Sequence, residues 1–258
     1  MQGARISMNG QLKHHQVTVS RIVNILGSND SATKYLEKCL YSVGMGNNDY
    51  INNYFLPEIY TTSSLYTPAQ YATVLIEEYF HQIKALYNYG ARKVALFGIG
   101  LIGCTPNAIS LYGTDGSVCV NKMNLAASLF NNKLISLVRH LNTNLTDATF
   151  IYVDSYGIGS TNVTDLGMNV TNIGCCPVTE DGLCSPSETP CQNRSEYAFW
   201  DSFHPTEALN KVTSSRSYHA VLPTDTYPID ISHLATSALI MEPNWQGSYT
   251  TNKELMES

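Results

Sequence analysis

Lys93-Val94-Ala95-Leu96-Phe97-Gly98-Ile99 is apolar almost from end to end, with no alternation of polar and apolar residues. A short run of this kind closed by glycine predicts a parallel strand covered on both faces. Upstream, Tyr71, Val74, Leu75, Tyr79, Ile83 and Leu86 recur at helical spacing, behind a Thr67-Pro68 start and ahead of a Gly90 stop. Downstream, Asn121 to Leu141 carries a second helical pattern, with Leu125, Leu129, Leu134, Leu137, Val138 and Leu141 predicted to face inward. Thr149 to Asp154 reads as the next strand, and Cys39 to Gly44 as a buried strand before the first helix. Strand-helix-strand-helix-strand implies right-handed crossovers and a parallel sheet, an α/β fold.

The remaining segments are less periodic. Residues 1–34 are polar and suit a loop and a surface helix. Residues 155–200 are rich in Gly, Asn, Thr, Pro and Cys and predict a long loop, a length usually reserved for function. Thr206 can cap a short helix reaching about Arg216. One domain is expected over residues 1–237, followed by a disordered tail at 238–258.

A chain of 258 residues, 43% hydrophobic, is long enough for one sizeable core. The net charge of -6 with no basic cluster argues against a nucleic-acid partner. No run of 18 apolar residues is present, so no transmembrane segment is expected. Sparse charge, Asn29, Asn144, Asn162, Asn169 and Asn193 in N-x-[ST] sequons, and 7 Cys together point to an exported glycoprotein. Any single sequon in an Asn-rich chain arises by chance; the group carries the inference. The first residues lack the apolar core of a signal peptide, so the expectation is that the chain begins part-way into a longer protein.

Gly98-Ile99-Gly100-Leu101-Ile102-Gly103 matches the G-x-G-x-x-G dinucleotide fingerprint. That motif has to open a helix, so that a pyrophosphate meets the helix amino terminus. Here Cys104-Thr105-Pro106 follows, a proline and its restricted predecessor are expected to resist helix, and no acid lies about 20 residues on for the ribose. A nucleotide cofactor is therefore not expected.

Cys175, Cys176, Cys184 and Cys191 admit zinc or disulfides. Without paired C-x-x-C units or an accompanying His, disulfides are the better reading, with Cys176, Cys184 and Cys191 as candidates and no metal. Cys104 and Cys119 flank a Gly-rich excursion and are candidates too, which leaves Cys39 as the expected free thiol.

Phe199-Trp200-Asp201-Ser202-Phe203-His204-Pro205-Thr206 sets an acid and a histidine three residues apart. A carboxylate that holds one ring nitrogen leaves the other to act as general base. An isolated D-x-x-H is as well explained by a surface pair at a helix start. Gly46-Asn47-Asn48-Asp49-Tyr50 after the first strand is either an Asx-type turn or a placed amide able to donate to an oxyanion.

With these segments together the chain resembles the plant GDSL esterase/lipase family of the SGNH hydrolase superfamily. Gly3 to Leu12 is similar to that family's G-x-x-I-S-x-x-x-Q-L stretch, and Ser42 to Tyr50 to its oxyanion-Asn segment. Gly103-Cys104-Thr105-Pro106 resembles its G-C-x-P turn, Phe199 to Thr206 its F-W-D-x-x-H-P-T block, and Tyr227-Pro228-Ile229-Asp230-Ile231 its ending. The resemblance implies a flavodoxin-like three-layer α/β/α sandwich with a parallel sheet, lacking here its first strand or strands. It implies His204 as general base, Asp201 as its orienting acid and Asn48 as an oxyanion-hole donor. The implied activity is hydrolysis of carboxylic esters of acyl lipids or acylated small molecules by a secreted, monomeric protein without cofactor.

One departure counts against activity. The family's nucleophile sits in a Gly-Asp-Ser block, and no Gly-Asp-Ser occurs among the 258 residues. Neither Ser42 nor Ser202 lies on the sharp strand-to-helix turn a substitute nucleophile would need. The expected function is thus a GDSL-type ester hydrolase impaired in this chain. The alternatives are an inactive remnant that binds ligands or regulates, and an acyltransferase or acetylesterase with the same triad and a different pocket.

Overall fold

In the computed structural model, which describes residues 5–237, the apolar segments form a four-stranded sheet in the order 40–44, 93–97, 149–153 and 226–227. Strands β1 (Leu40–Gly44), β2 (Lys93–Phe97) and β3 (Thr149–Val153) are parallel, with Ser42, Ala95 and Ile151 level across the sheet. Strands β4 (Val170–Gly174) and β5 (Tyr197–Phe199) pair separately. The short β6 (Thr226–Tyr227) joins β3 antiparallel, so the expected parallel sheet is mixed at that edge.

Helices fill both faces. The chain runs through α1 (Met8–Leu26), α2 (Asn29–Leu36), a turn α3 (Asn47–Asp49), α4 (Thr62–Leu65), α5 (Pro68–Asn88), α6 (Pro106–Tyr112) and α7 (Asn121–Asn144). It ends in α8 (Ser155–Gly159), α9 (Glu207–Tyr218) and α10 (Ile231–Thr236). Val94, Leu96, Phe150 and Tyr152 belong to the larger core with α1, α5 and α7. Ala95, Ile151 and Val153 form a smaller one with Ile158 of α8 and Leu234 of α10. This is a three-layer α/β/α arrangement. The stretch 238–258, expected as a tail, lies outside the described residues.

The long helices follow local chemistry. Thr67 and Gln70 close a reciprocal capping box ahead of Pro68, which occupies the first turn where its missing N–H is no loss. Gly90, with φ 104°, supplies the left-handed stop. Two residues expected inward are not: Val74 is 40% and Leu125 64% exposed. The α7 stripe is set instead by Met123, Ala127, Phe130, Leu134, Leu137 and Leu141, and Leu125 lies off that helical face.

Three other expectations need correcting. The strand at residues 40–44 is not buried. Tyr41 and Val43 lean on the larger core, but Leu40, Ser42 and Gly44 are exposed, because α8 and α10 cover only β2 and β3 on that side. Residues 155–200 are not one loop: they hold α8, β4 and β5, whose few residues are too short to show periodicity. Pro106 does not resist helix; it opens α6, with Thr105 extended before it and capping Ala108 N–H. The Gly98–Gly103 motif itself is a loop with a 3₁₀ turn at Ile102–Cys104.

Candidate active site

Trp200 to Pro205 is a tight excursion between β5 and α9, closed by Trp200 N–H donating to the His204 carbonyl at 2.7 Å. Asp201 is 3% exposed at its base. Its Oδ1 accepts from Phe203 N–H at 2.9 Å and His204 N–H at 2.8 Å, so the turn itself aims the carboxylate. His204 Nδ1 lies 2.8 Å from Asp201 Oδ2, while the His204 side chain is 64% exposed. With Nδ1 donating to the carboxylate, Nε2 is left as a bare acceptor on the open side of the ring. Burial pushes the Asp201 carboxyl up, but the bonds from His204 and Phe203 outweigh it and hold it below the ordinary carboxylate range. Asp201 is therefore an anion at neutral pH.

The excursion is held from several sides. Gly174 packs directly on it; a Cβ there would come within 2.8 Å of Asp201 Cα. Cys175 N–H donates to Phe199 O at 2.9 Å and Cys176 N–H to Trp200 O at 2.8 Å. Disulfides Cys175–Cys191 and Cys176–Cys184 fasten the same residues, so Cys175 joins the three thiols expected to pair in this region. Cys104 is bonded to Cys119, and Cys39 is a free thiol at the sheet edge. Asn107 N–H donates to Ser202 O at 3.0 Å, which ties the excursion to the start of α6.

Asn48 follows β1 directly, in α3, and is exposed. Its Oδ1 accepts at 3.0 Å from Asn52 Nδ2, in the π-helical segment Tyr50–Tyr54 that follows. That bond uses the carbonyl of the Asn48 amide and leaves its NH₂ as the group available to donate. Gly46, with φ 116°, lets the loop drop onto the sheet; a Cβ there would stand 2.9 Å from Ile99 Cδ1 and 3.3 Å from Phe130 Cζ. The neighbouring Asp49 is largely buried, which raises its carboxyl above the ordinary range.

The Asn48 loop rests on Ile99, just beyond β2, and the Asp201–His204 excursion is bonded to Asn107 in the first turn of α6. No hydrogen bond joins them directly. Tyr50 and Tyr54, whose aromatic rings could have faced an acyl group, are 0% and 5% exposed and belong to the core. Ser42 lies within β1, and Ser202 is fixed by its own N–H on Gly182 O and by Asn107. The five sequon asparagines Asn29, Asn144, Asn162, Asn169 and Asn193 are all exposed. Among the described residues no cluster of His, Cys, Asp or Glu could hold a metal, and no helix is long and apolar enough to cross a membrane.

A second D-x-x-H pair escaped the sequence reading, although its spacing is plain. Asp230 caps α10, accepting from His233 N–H at 3.0 Å, and His233 Nδ1 sits 2.6 Å from the same oxygen. The His233 side chain is 71% exposed.

The described residues thus hold a loop-borne Asp–His pair beside an α/β sheet and an exposed asparagine in the turn after β1. The family model described as GDSL-like Lipase/Acylhydrolase matches residues 1–216, and the chain belongs to that family. It is 51% identical over 239 residues to GDSL esterase/lipase At1g29670 of Arabidopsis thaliana and 50% to At1g29660 of the same plant, covering 90% of this chain and 66% of each relative. It is also 38% identical to GDSL esterase/lipase 7 of Arabidopsis thaliana, over 90% of this chain and 66% of that protein. The chain spans about two thirds of the length of the curated relatives it matches. The family-model match contains Asp201 and His204 and ends before Asp230 and His233.

Proposed function

We propose that this chain supplies the acid–base pair and one oxyanion donor of a carboxylic ester hydrolase. The observation that carries the reading is the buried, anionic Asp201 holding Nδ1 of an exposed His204, within the part of the chain that matches the family. His204 Nε2 takes the proton of an attacking hydroxyl as that oxygen bonds to the acyl carbon. The carbonyl electron pair moves onto its oxygen, which accepts from the Asn48 amide. As the tetrahedral adduct collapses, His204 returns the proton to the leaving alkoxide, and Asp201 offsets the charge of the imidazolium between the two transfers.

No Gly-Asp-Ser lies among the 258 residues, so the attacking hydroxyl of this step is assigned to no residue here, and turnover by these residues alone is slow. Removing the nucleophile of a serine hydrolase costs on the order of a million-fold, leaving roughly 10³–10⁴ over water from the remaining groups. Acyl lipids or acylated small molecules are the substrate class, with no cofactor, no nucleic-acid partner and a monomeric state. The five exposed sequons and the disulfides support an extracellular glycoprotein.

The test is hydrolysis of p-nitrophenyl butyrate by the purified chain, beside His204→Ala and Asn48→Ala. In a site without its nucleophile the histidine adds little while the oxyanion donor still acts. The reading therefore expects slow release that Asn48→Ala lowers by about tenfold or more and His204→Ala barely changes. Fast turnover that His204→Ala abolishes would show that a serine within these residues is being activated, and would overturn the impairment.

A further inference from the structure

We infer that Asn131, in the middle of α7, is the positioning residue that sets both loops of the proposed site at once; the word site here rests on the reading above. Ile99 is where the chain leaves β2, and it is 0% exposed. Its backbone N–H and C=O have no strand beside them and no solvent, so each must find a partner. Asn131 supplies both: Ile99 N–H donates to Asn131 Oδ1 at 2.8 Å, and Asn131 Nδ2 donates to Ile99 O at 2.8 Å. The amide is 4% exposed and stands in the apolar stripe of a long helix, a poor place for asparagine on propensity and burial alone.

The consequence reaches the site by two routes. The Ile99 side chain, fixed by its clamped backbone, is the surface on which Gly46 rests, one residue before the turn that carries Asn48. Phe130, next to Asn131, presses on the same glycine and meets Tyr50 edge-on. In the other direction the clamped segment runs through Gly103, whose N–H donates to Asn124 Oδ1 of α7 at 2.8 Å, into Asn107, which holds Ser202 between Asp201 and His204. Gly98 has no room for a side chain for the same reason: a Cβ would meet Tyr152 Oη at 2.7 Å and Asn131 Oδ1 at 3.0 Å. Of the three glycines that mimic a nucleotide fingerprint, Gly98 makes room for the Asn131 grip and Gly103 for that of Asn124, whereas a Cβ at Gly100 would meet nothing within 4 Å.

The experiment is backbone and side-chain amide NMR of the intact chain and of Asn131→Leu, which keeps the bulk and removes both bonds. The inference expects loss of order, as a fall in the heteronuclear NOE with shifted resonances, at residues 46–49 and 201–204, while residues 230–233 keep their shifts. Unchanged loops, or an equal disturbance of all three segments, would overturn it, the latter marking a merely structural residue. Asn131→Asp, which keeps the acceptor and loses the donor, gives the same decision if the leucine variant does not fold. Ester turnover is not read, so a chain inert to esters still decides the question.

Discussion

The two Asp–His pairs, Asp201–His204 and Asp230–His233, have nearly the same local geometry and different surroundings. In each, the carboxylate accepts the backbone N–H of the histidine three residues on, and the ring then falls onto the same carboxylate by Nδ1. Each acid is buried and each imidazole mostly exposed. The spacing therefore makes the pair by itself, as a by-product of an Asp that caps a turn. What distinguishes them is what the turn is fastened to. Asp201 lies in an excursion held by two disulfides and by Asn107 N–H from the first turn of α6. Asp230 caps a helix that covers the smaller core, where Lys93 Nζ donates to Ala235 O at 2.9 Å and Ala220 N–H donates to Asp230 Oδ2. A poised base is defined by its company rather than by D-x-x-H.

The comparison can be broken most sharply at the disulfides. Replacing Cys175 with Cys191, or Cys176 with Cys184, by serine is expected to cost about 2–3 kcal/mol per bridge and to loosen residues 199–206 before α10. Equal loosening of both pairs in hydrogen exchange would contradict the assignment of those bridges to the His204 excursion. Next in size, Asp230→Ala removes a helix cap and orphans the Ala220 N–H, an expected loss of about 2 kcal/mol, measurable by urea denaturation. His233→Ala, which keeps the cap, is expected to cost less than about 1 kcal/mol.

Acid should separate the pairs more gently. Both carboxyls are held below their ordinary value, Asp230 well below, because bonds from His233 and Ser232 outweigh the upward push of burial. A depressed folded value gives stability that is present above the unfolded value, about 3.9, and is lost as pH falls through the folded one. Acid titration followed by NMR is expected to release the Asp201 turn first and the α10 cap at lower pH. The reverse order would mean that the outer helix is the less firmly held.

Much of this was legible in advance. Repeated apolar spacing in Tyr71 to Leu86 and the unbroken run Lys93 to Phe97 fix helix and strand because burial on one stripe, or on both faces, constrains those residues directly. Asp201, His204 and Asn48 were legible as local motifs. The exposed face of β1 was not, because Leu40 and Ser42 depend on what lies across the sheet. Asn131 was hidden for a related reason: a polar residue in an apolar stripe looks like noise until the backbone it grips, far away in sequence, is seen. The pairing of Cys175 with Cys191, and not with its neighbour, likewise depends on how β4 and β5 meet.

The most direct test adds sodium butyrate, the carboxylate product of a simple ester, to ¹⁵N-labelled protein and follows the side-chain nitrogens of Asn48, His204 and His233. Saturable shifts are expected at Asn48 Nδ2 and His204 Nε2 together, with His233 unmoved. Equal shifts at the two histidines, or a shift at His204 without Asn48, would contradict the claim that one Asp–His pair and one amide form a site while the other pair only caps a helix.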